Sequence, residues 1–181
     1  MASIQKAYIW RMPVFIQSPR FVIRDFKPEE QPLFLELFDD ELVTQHLPRR
    51  TRKENIEIFR TALQDYAEGK ALGRWGIFNN SDGDFIGNCL LRNFYDEPGK
   101  IELGYVLRQK YWGRGIASEM AQIMITYGFV HTDTAEIVAV TTLGNIASQK
   151  VLQKAGMIRR ENLNRSGEEL AYFSISAPLT R

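Results

Sequence analysis

The alternation of hydrophobic and polar residues along this chain predicts seven β-strands. Runs of this kind have the period of two that places successive side chains on opposite faces of a sheet. Asp82 and Gly83 form a strong hairpin signal between the second and third runs. With the run that follows, they predict an antiparallel meander in the middle of the chain. The predicted strands cover residues 20–26, 74–80, 85–94, 100–107, 136–142, 157–163 and 170–176.

A period of three to four residues predicts four helices between these strands. Thr51 followed by Glu54 has the spacing of a capping box at the start of the second helix, and Gly69 ends that helix. Asn145 is a suitable N-cap for the fourth helix, which Gly156 ends. The predicted helices cover residues 28–43, 51–69, 115–130 and 145–156.

The order of these elements predicts one α/β (α+β) domain, with a mixed, mostly antiparallel sheet of about seven strands flanked by four helices. At 181 residues, a single domain can bury about 70% of the surface that its unfolded chain exposes. We assign residues 1–181 to this domain and residues 1–18 to an amino-terminal extension before the first strand.

The charge balance and the rarity of cysteine and histidine argue against several classes of protein. Lys and Arg total 23 against 22 for Asp and Glu, so no overall field favours binding to nucleic acid. His46, His131 and the single Cys89 lack the paired spacing of a metal site, and no metal is expected. No run is apolar enough for a signal sequence or a membrane span. We therefore expect a cytoplasmic protein with no membrane partner.

The segment KYWGRGIASE, residues 110–119, combines two glycines with basic residues where a strand passes into a helix. Glycine costs about 1 kcal/mol relative to alanine in regular structure, so Gly113 and Gly115 indicate that something approaches the backbone closely. The first amides of a helix have no partner within it and, with the helix dipole, favour an anion. Arg114 and Lys110 add positive charge. The segment predicts a phosphate-binding turn, with a tight structural turn as the alternative.

Three kinds of nucleotide site compete for this interpretation. A P-loop is excluded because it needs a Gly-Lys pair followed by Ser or Thr, and the segment has no such lysine. A Rossmann dinucleotide site is weakly supported, because Ser118 stands where a third glycine is needed and antiparallel strands precede the motif. The third kind is a coenzyme A pyrophosphate site.

This third interpretation agrees with a resemblance to a known family. WGRGIA after IELGYVL, followed one strand later by NIASQKVLQKAGM, resembles the GNAT N-acetyltransferases, and among them the ribosomal-protein amino-terminal acetyltransferases of the Rim type. The phosphate motif of the family is Gln/Arg-x-x-Gly-x-Gly/Ala. Gly115 and Ala117 match it, and Trp112 stands at the Gln/Arg position, a substitution common in the Rim subgroup. The resemblance covers nearly the whole chain.

The resemblance implies acetyl transfer from acetyl-CoA to an amine by direct attack in a ternary complex, without a metal. The backbone from Gly113 to Ser118 would hold the pyrophosphate, and the end of the preceding strand would hold the pantetheine arm. Lys150 could reach the nucleotide end, with a solvated surface lysine as the alternative. The implied cofactor-binding residues are Tyr105, Val106, Leu107, Trp112, Gly113, Arg114, Gly115, Ile116, Ala117, Ser118, Asn145 and Lys150.

Glu102 is the candidate general base. An amine must lose a proton before it attacks. An α-amino group titrates at about 8 and a lysine at about 10.4, so both are mostly protonated at neutral pH. Ile101 and Leu103 flank Glu102 and point to the opposite face, so a charge in this apolar strand needs a reason. Glu102 either takes the proton of the amine, through a water, or forms an ion pair with Arg92 or Arg74 on a neighbouring strand.

Ser148 is the candidate partner of the leaving thiolate. Many GNAT enzymes have a tyrosine seven positions after the asparagine of the last helix, but Leu152 stands there in this chain. The resemblance to Rim-type members implies that Ser148, three residues after Asn145, assists the leaving thiolate instead, as a hydrogen-bond partner or proton relay. An ordinary first-turn serine and an ordinary N-cap are the alternatives. The resemblance also implies that a backbone amide near Val106 or Leu107 polarises the thioester carbonyl.

No motif identifies the acceptor amine. A protein amino terminus, a polyamine, an amino acid and an antibiotic amine all remain open. The basic loop at residues 46–53 borders the acceptor opening expected from the resemblance, where it could guide an anionic acceptor, although such loops are often only solvated. A homodimer is left open. From other classes of protein, a non-catalytic acyl-CoA-binding sensor and, more distantly, a dinucleotide oxidoreductase are the alternatives.

Overall fold

The computed structural model describes residues 15–178, in which the strands form one sheet of nine strands. The strands are β1 (Phe15–Gln17), β2 (Phe21–Arg24), β3 (Gly73–Asn79), β4 (Phe85–Asn93), β5 (Ile101–Leu107), β6 (Glu136–Thr142), β7 (Ile158–Arg159), β8 (Leu163–Arg165) and β9 (Glu168–Ser176). The helices are α1 (Gln31–Glu36), α2 (Glu41–Thr44), α3 (Arg52–Ala67), α4 (Ile116–His131) and α5 (Ile146–Lys154), with single 3-10 turns at Pro28–Glu30 and Gln109–Tyr111.

The strand order is β1-β2-β3-β4-β5-β6-β9-β7, and β8 also pairs with β9. Neighbouring strands run antiparallel throughout, except that β5 and β6 are parallel. The predicted mixed, mostly antiparallel sheet is therefore confirmed. The parallel pair is joined, as such strands require, by a crossover connection, which here contains α4.

Strands β5 and β6 pair only at their beginnings. The paired residues are Ile101 with Ile137 and Glu102 with Val138. The pairing stops there, although β5 continues to Leu107 and β6 to Thr142. On its other side β5 remains paired with β4 as far as Leu107. The two parallel strands thus diverge, and a wedge-shaped opening, bounded by residues 103–107 and 139–142, interrupts the sheet.

Local signals correctly predicted the caps and the terminating glycines of α3 and α5. Thr51 Oγ1 accepts a hydrogen bond from the Glu54 amide at 3.3 Å, and the Glu54 carboxylate accepts one from the Thr51 amide at 2.6 Å, which completes the capping box. Asn145 caps α5 through its side chain. Gly69 and Gly156, which follow α3 and α5, have φ values of +70° and +92°, the left-handed conformation that ends a helix.

Two apolar clusters cover the two faces of the sheet. On one face, which we call the helix α4 face, Trp75, Cys89 and Leu103 pack with residues of α4 and α5 such as Met124 and Leu152. On the other face, which we call the helix α3 face, α1 and α3 are held by a group of phenylalanines in edge and tilted contacts, whose ring centroids lie 5.0 to 6.2 Å apart. That group comprises Phe26, Phe34, Phe38, Phe59, Phe78 and Phe85.

The structure departs from the predicted elements at both ends of the chain. The first predicted helix is divided, because Asp40 caps a separate helix, α2, through hydrogen bonds to the Leu42 and Val43 amides. Near the carboxyl end, the predicted loop between the last two strands shortens to the turn Ser166–Gly167, where both residues have positive φ as a tight hairpin requires. Strand β1 lies within the predicted extension, of which residues 1–14 lie outside the described residues.

Two further findings concern the described part of the chain alone. None of the helices between residues 15 and 178 combines the length and the apolar character that crossing a membrane would demand. Over the same residues, His, Cys, Asp and Glu side chains do not come together in groups of three or more that would suit a metal ion.

Candidate active site

Backbone amides and carbonyls of β5 face the wedge-shaped opening. The Arg108 amide donates to the Ile86 carbonyl at 2.8 Å, across the β4 edge. Because backbone groups of an antiparallel strand alternate between its two edges, the amides and carbonyls of Tyr105 and Leu107 face the opening, whereas those of Val106 face β4. The Leu107 carbonyl already accepts a hydrogen bond from Trp112 Nε1 at 2.9 Å.

Both strands that border the opening lead into helix N-termini at their carboxyl ends. Helix α4 follows β5 after the turn at residues 108–115, and α5 follows β6 after residues 143–145. In open α/β sheets this is where a crevice binds its ligand, because the orphan amides of both helices converge there.

The start of α4 has the properties of an anion site. Gly113 and Gly115 have φ values of +71° and +76°, so both use the left-handed conformation that glycine adopts without strain. No side chain caps the helix at Gly115, and residues 112–115 are exposed. The amides at the following positions therefore have no partner from a capping side chain. Those positions are Ile116, Ala117 and Ser118, of which Ile116 is buried and the other two are partly exposed.

Arg20, in the turn just before β2, contacts the start of α4 at two points. Its Nη1 donates to the Arg114 carbonyl at 2.7 Å, and its Nε donates to the Glu119 carboxylate at 2.8 Å. These contacts tie the backbone at Arg114, between the two glycines, to the first turn of α4, and they pair the Glu119 carboxylate with Arg20. Lys110, in contrast, forms a 2.5 Å ion pair with Asp84, so the charge that the sequence suggested at this position is directed away from the turn.

A pair of hydroxyl groups stands on the helix α4 face of the opening. Ser148 Oγ and Tyr105 Oη share a hydrogen bond of 3.0 Å, and the Ser148 amide donates to Asn145 Oδ1 at 3.1 Å. Burial raises the pKa of Tyr105 to about 12, although the hydrogen bond to Ser148 opposes this shift. Leu152, where the family often has tyrosine, is 1% exposed and belongs to the core.

Glu102 lies on the helix α3 face, at the last position where β5 and β6 are paired. Its carboxylate forms a forked pair with Arg92, with Arg92 Nε and Nη2 each 3.0 Å or less from a carboxylate oxygen. The Glu102 side chain is only 7% exposed, whereas that of Arg92 is 51% exposed. The ion pair with Arg92 that the sequence offered as an alternative therefore exists, and Arg74 is not the partner.

The structure brings together most, but not all, of the residues singled out from the sequence. The β5 residues, the start of α4, Asn145 and Ser148 surround one opening, whereas Lys150 is exposed on α5 without a described hydrogen bond or ion pair. Sequence reasoning missed the hydroxyl of Tyr105, which it considered only for its backbone. The strand alternation contained the signal, because it placed Tyr105 on the face covered by the helix that carries Ser148.

Comparisons with known proteins agree with this geometry. A family model described as acetyltransferase (GNAT) domain matches residues 20–158. The uncharacterized N-acetyltransferase p20 of Bacillus licheniformis is 28% identical over 152 residues, which cover 80% of this chain and 85% of that protein.

Solved structures share the fold at lower identity. An acetyltransferase of the GNAT family from Bacillus anthracis superposes with a TM-score of 0.75 at 23% identity, over 90% of this chain and 98% of its own. RimL, a ribosomal L7/L12 alpha-N-protein acetyltransferase in complex with coenzyme A, gives a TM-score of 0.75 at 17% identity, with the same coverage of both chains. With the family model spanning most of its length, this chain belongs to the GNAT family and is an N-acetyltransferase.

Proposed function

We propose that the protein transfers the acetyl group of acetyl-CoA to a primary amine by direct attack in a ternary complex. The single observation that carries this proposal is the opening between β5 and β6, which joins an uncapped helix start, the Ser148–Tyr105 hydroxyl pair and the Glu102 carboxylate. GNAT enzymes use acetyl-CoA, so membership of the family supports the cosubstrate.

The start of α4 fits the diphosphate of the cosubstrate. Amides at residues 113–118 would donate to it, and the exposed glycines at 113 and 115 leave room for its close approach. The open edge of β5 would hold the pantetheine arm, with the Tyr105 and Leu107 backbones as its partners. Of the two amides considered for polarising the thioester carbonyl, that of Leu107 is favoured, since the Val106 backbone faces β4.

Glu102 accepts the proton of the attacking amine in this proposal, directly or through one water. Its two carboxylate oxygens offer about four lone-pair sites, so the fork from Arg92 leaves acceptor capacity for an incoming ammonium group. The acceptor would reach Glu102 on the helix α3 face, opposite the face on which Ser148 stands. The two substrates would then meet across the opening.

Ser148 stabilises the leaving thiolate. A thiol titrates near about 8.5, so departure of the sulfur requires only a hydrogen bond or a short proton relay. The Tyr105 hydroxyl can supply the proton or orient the serine, because burial keeps it protonated at neutral pH. Asn145 fixes the backbone at Ser148 by capping the helix.

The proposed base is tested with Glu102→Gln. Steady-state release of free thiol from acetyl-CoA should fall strongly at neutral pH and recover as the pH rises past about 8, where an α-amino acceptor loses its proton unaided. Arg92→Gln serves as the matched control, because it removes the same ion pair but keeps the carboxylate. Equal activities of the two variants at every pH would show that Glu102 acts only as an ion-pair partner.

We also propose an amino-terminal acceptor, by extension from the Rim-type resemblance and from the α-N-protein acetyltransferase that shares the fold. A screen of peptides and small amines, read by the mass shift of one acetyl group, tests it. Acetylation of free polyamines or antibiotics in preference to all peptides would contradict this part of the proposal.

A further inference from the structure

A cluster of basic side chains lies on the helix α3 face, beside Glu102. Trp75 on β3 packs in the core on the helix α4 face. Because successive residues of a strand lie on opposite faces, the neighbouring Arg74 lies on the helix α3 face. Its guanidinium lies 5.8 Å from the ring centroid of Phe34, a residue of α1. Strand register sets Arg74 opposite Leu90, and Arg92 opposite Glu102. Leu90 in turn pairs with Gly104, so Arg74 and Glu102 lie two strands apart and are offset by two residues, with about 12 Å between their backbones.

The Arg74 and Asn88 side chains together have more hydrogen-bond donors than acceptors. Arg74 Nη1 donates to Asn88 Oδ1, and within residues 15–178 no carboxylate lies at ion-pair distance from Arg74. Asn88 is 0% exposed, and its Nδ2 atom has no hydrogen-bond partner in the described structure. Buried donors without acceptors are costly, and a guanidinium is a donor only. The unpartnered donor in the described structure is Asn88 Nδ2, beside a guanidinium whose one described side-chain acceptor is Asn88 Oδ1.

Arg50, in the loop before α3, adds charge at the solvent side of the same cluster. Burial, together with the charges of Arg50 and Arg92, lowers the pKa of Arg74 to about 10. Arg50 is exposed and likewise has no described ion pair. Of the acidic residues beside Arg50 and Arg92, Glu102 already pairs with Arg92, and Glu54 accepts from the Thr51 amide at the cap of α3. The cluster keeps an excess positive charge.

We infer that Arg50, Arg74 and Asn88 form an acceptor subsite for a carboxylate that lies within one or two residues of the amine to be acetylated. The inference rests on the proposed function, because it places the amine at Glu102. A carboxylate supplies the missing acceptors, and guanidinium groups bind it through charge-assisted hydrogen bonds. The subsite lies on the face opposite Ser148, so it is separate from the turn at residues 113–118 that would hold the diphosphate.

The test compares acceptors that differ only in this carboxylate. Peptides that begin with Glu or with Gln are offered with saturating acetyl-CoA, and free glutamate and glutamine form a second pair that separates a peptide source from a small-molecule source. In at least one pair, kcat/KM should favour the acidic acceptor by about 10- to 100-fold, as expected for hydrogen bonds to a charged group. Equal values in both pairs would overturn the inference while leaving the proposed function in place. If no amine were acetylated at all, both the inferred subsite and the proposed function would be refuted.

Charge reversal at Arg50 tests the assignment of residues without disturbing the core. Arg50→Glu should abolish the preference for the acidic acceptor, and the partly buried Arg74→Met should do the same if it folds. Arg52→Glu is the matched control, because Arg52 lies two residues away and pairs with Asp39 at the surface. Equal effects of Arg50→Glu and Arg52→Glu would contradict a specific subsite. So would a rise in the KM of acetyl-CoA with an unchanged acceptor preference, which would assign Arg50 to the nucleotide instead.

Discussion

The Ser148–Tyr105 pair gives the sharpest prediction about the chemistry of the opening. If the two hydroxyls act as one relay toward the leaving sulfur, Ser148→Ala and Tyr105→Phe should each lower kcat, and the double variant should lose little more than either single variant. A hydrogen bond to a charged group contributes about 1.5 to 3 kcal/mol, which corresponds to about 10- to 100-fold in kcat for each single substitution.

The assay is thiol release at saturating acetyl-CoA and acceptor, with the unfolding free energy from urea titration as a control for structural damage. Removing the 3.0 Å hydrogen bond should destabilise the fold by only about 1 kcal/mol. Because burial raises the pKa of Tyr105 to about 12, kcat should show no loss from tyrosine ionisation below about pH 11. The relay would be refuted if the double variant lost kcat by the product of the two single losses, or if Ser148→Ala kept the wild-type kcat.

The remaining predictions concern the scaffold. Gly87→Ala should destabilise the protein by about 3 kcal/mol in urea titration, because a Cβ there would lie 2.1 Å from the Val106 carbonyl oxygen. The control is Gly83→Ala, which should cost only about 1 kcal/mol, because Gly83 has a φ of +71° but nothing within 4 Å of an added Cβ. Similar losses of stability in the two variants would contradict the packing argument. Cys89 is 0% exposed and burial raises its pKa to about 12, so thiol reagents should modify it only at the rate of unfolding, and fast labelling of the native protein would contradict its burial.

Features set by neighbouring residues could be predicted from the sequence, because their physics is local. The Thr51–Glu54 capping box and the Asn145 cap each involve residues three positions apart, and both occur as predicted. Gly113 and Gly115 predicted a turn before a helix, and both residues have the positive φ values of such a turn.

Contacts between distant residues could not be predicted in the same way. Tyr105 and Ser148 are 43 residues apart, and Arg20 reaches Glu119 across 99 residues. Hydrophobic periodicity assigns a residue to a face of its own element, but the register of the sheet decides which neighbour it meets. The partner of Glu102 shows this limit, since the sequence offered Arg92 and Arg74 and only the register of β4 with β5 selects Arg92.

The subdivision of the first helix shows a second limit. Hydrophobic spacing continued through residues 28–43, which favoured one helix, but Asp40 offers the amides of residues 42 and 43 a side-chain acceptor. Such competition between a cap and helix continuation depends on small free-energy differences that tertiary packing decides.

A crystal structure with bound coenzyme A tests the proposed cosubstrate site. The diphosphate oxygens should lie about 3 Å from backbone amides at residues 113–118, with the pantetheine arm between β5 and β6 and its sulfur near Ser148. A diphosphate bound elsewhere on the chain, or a pantetheine arm that avoids the opening, would contradict it.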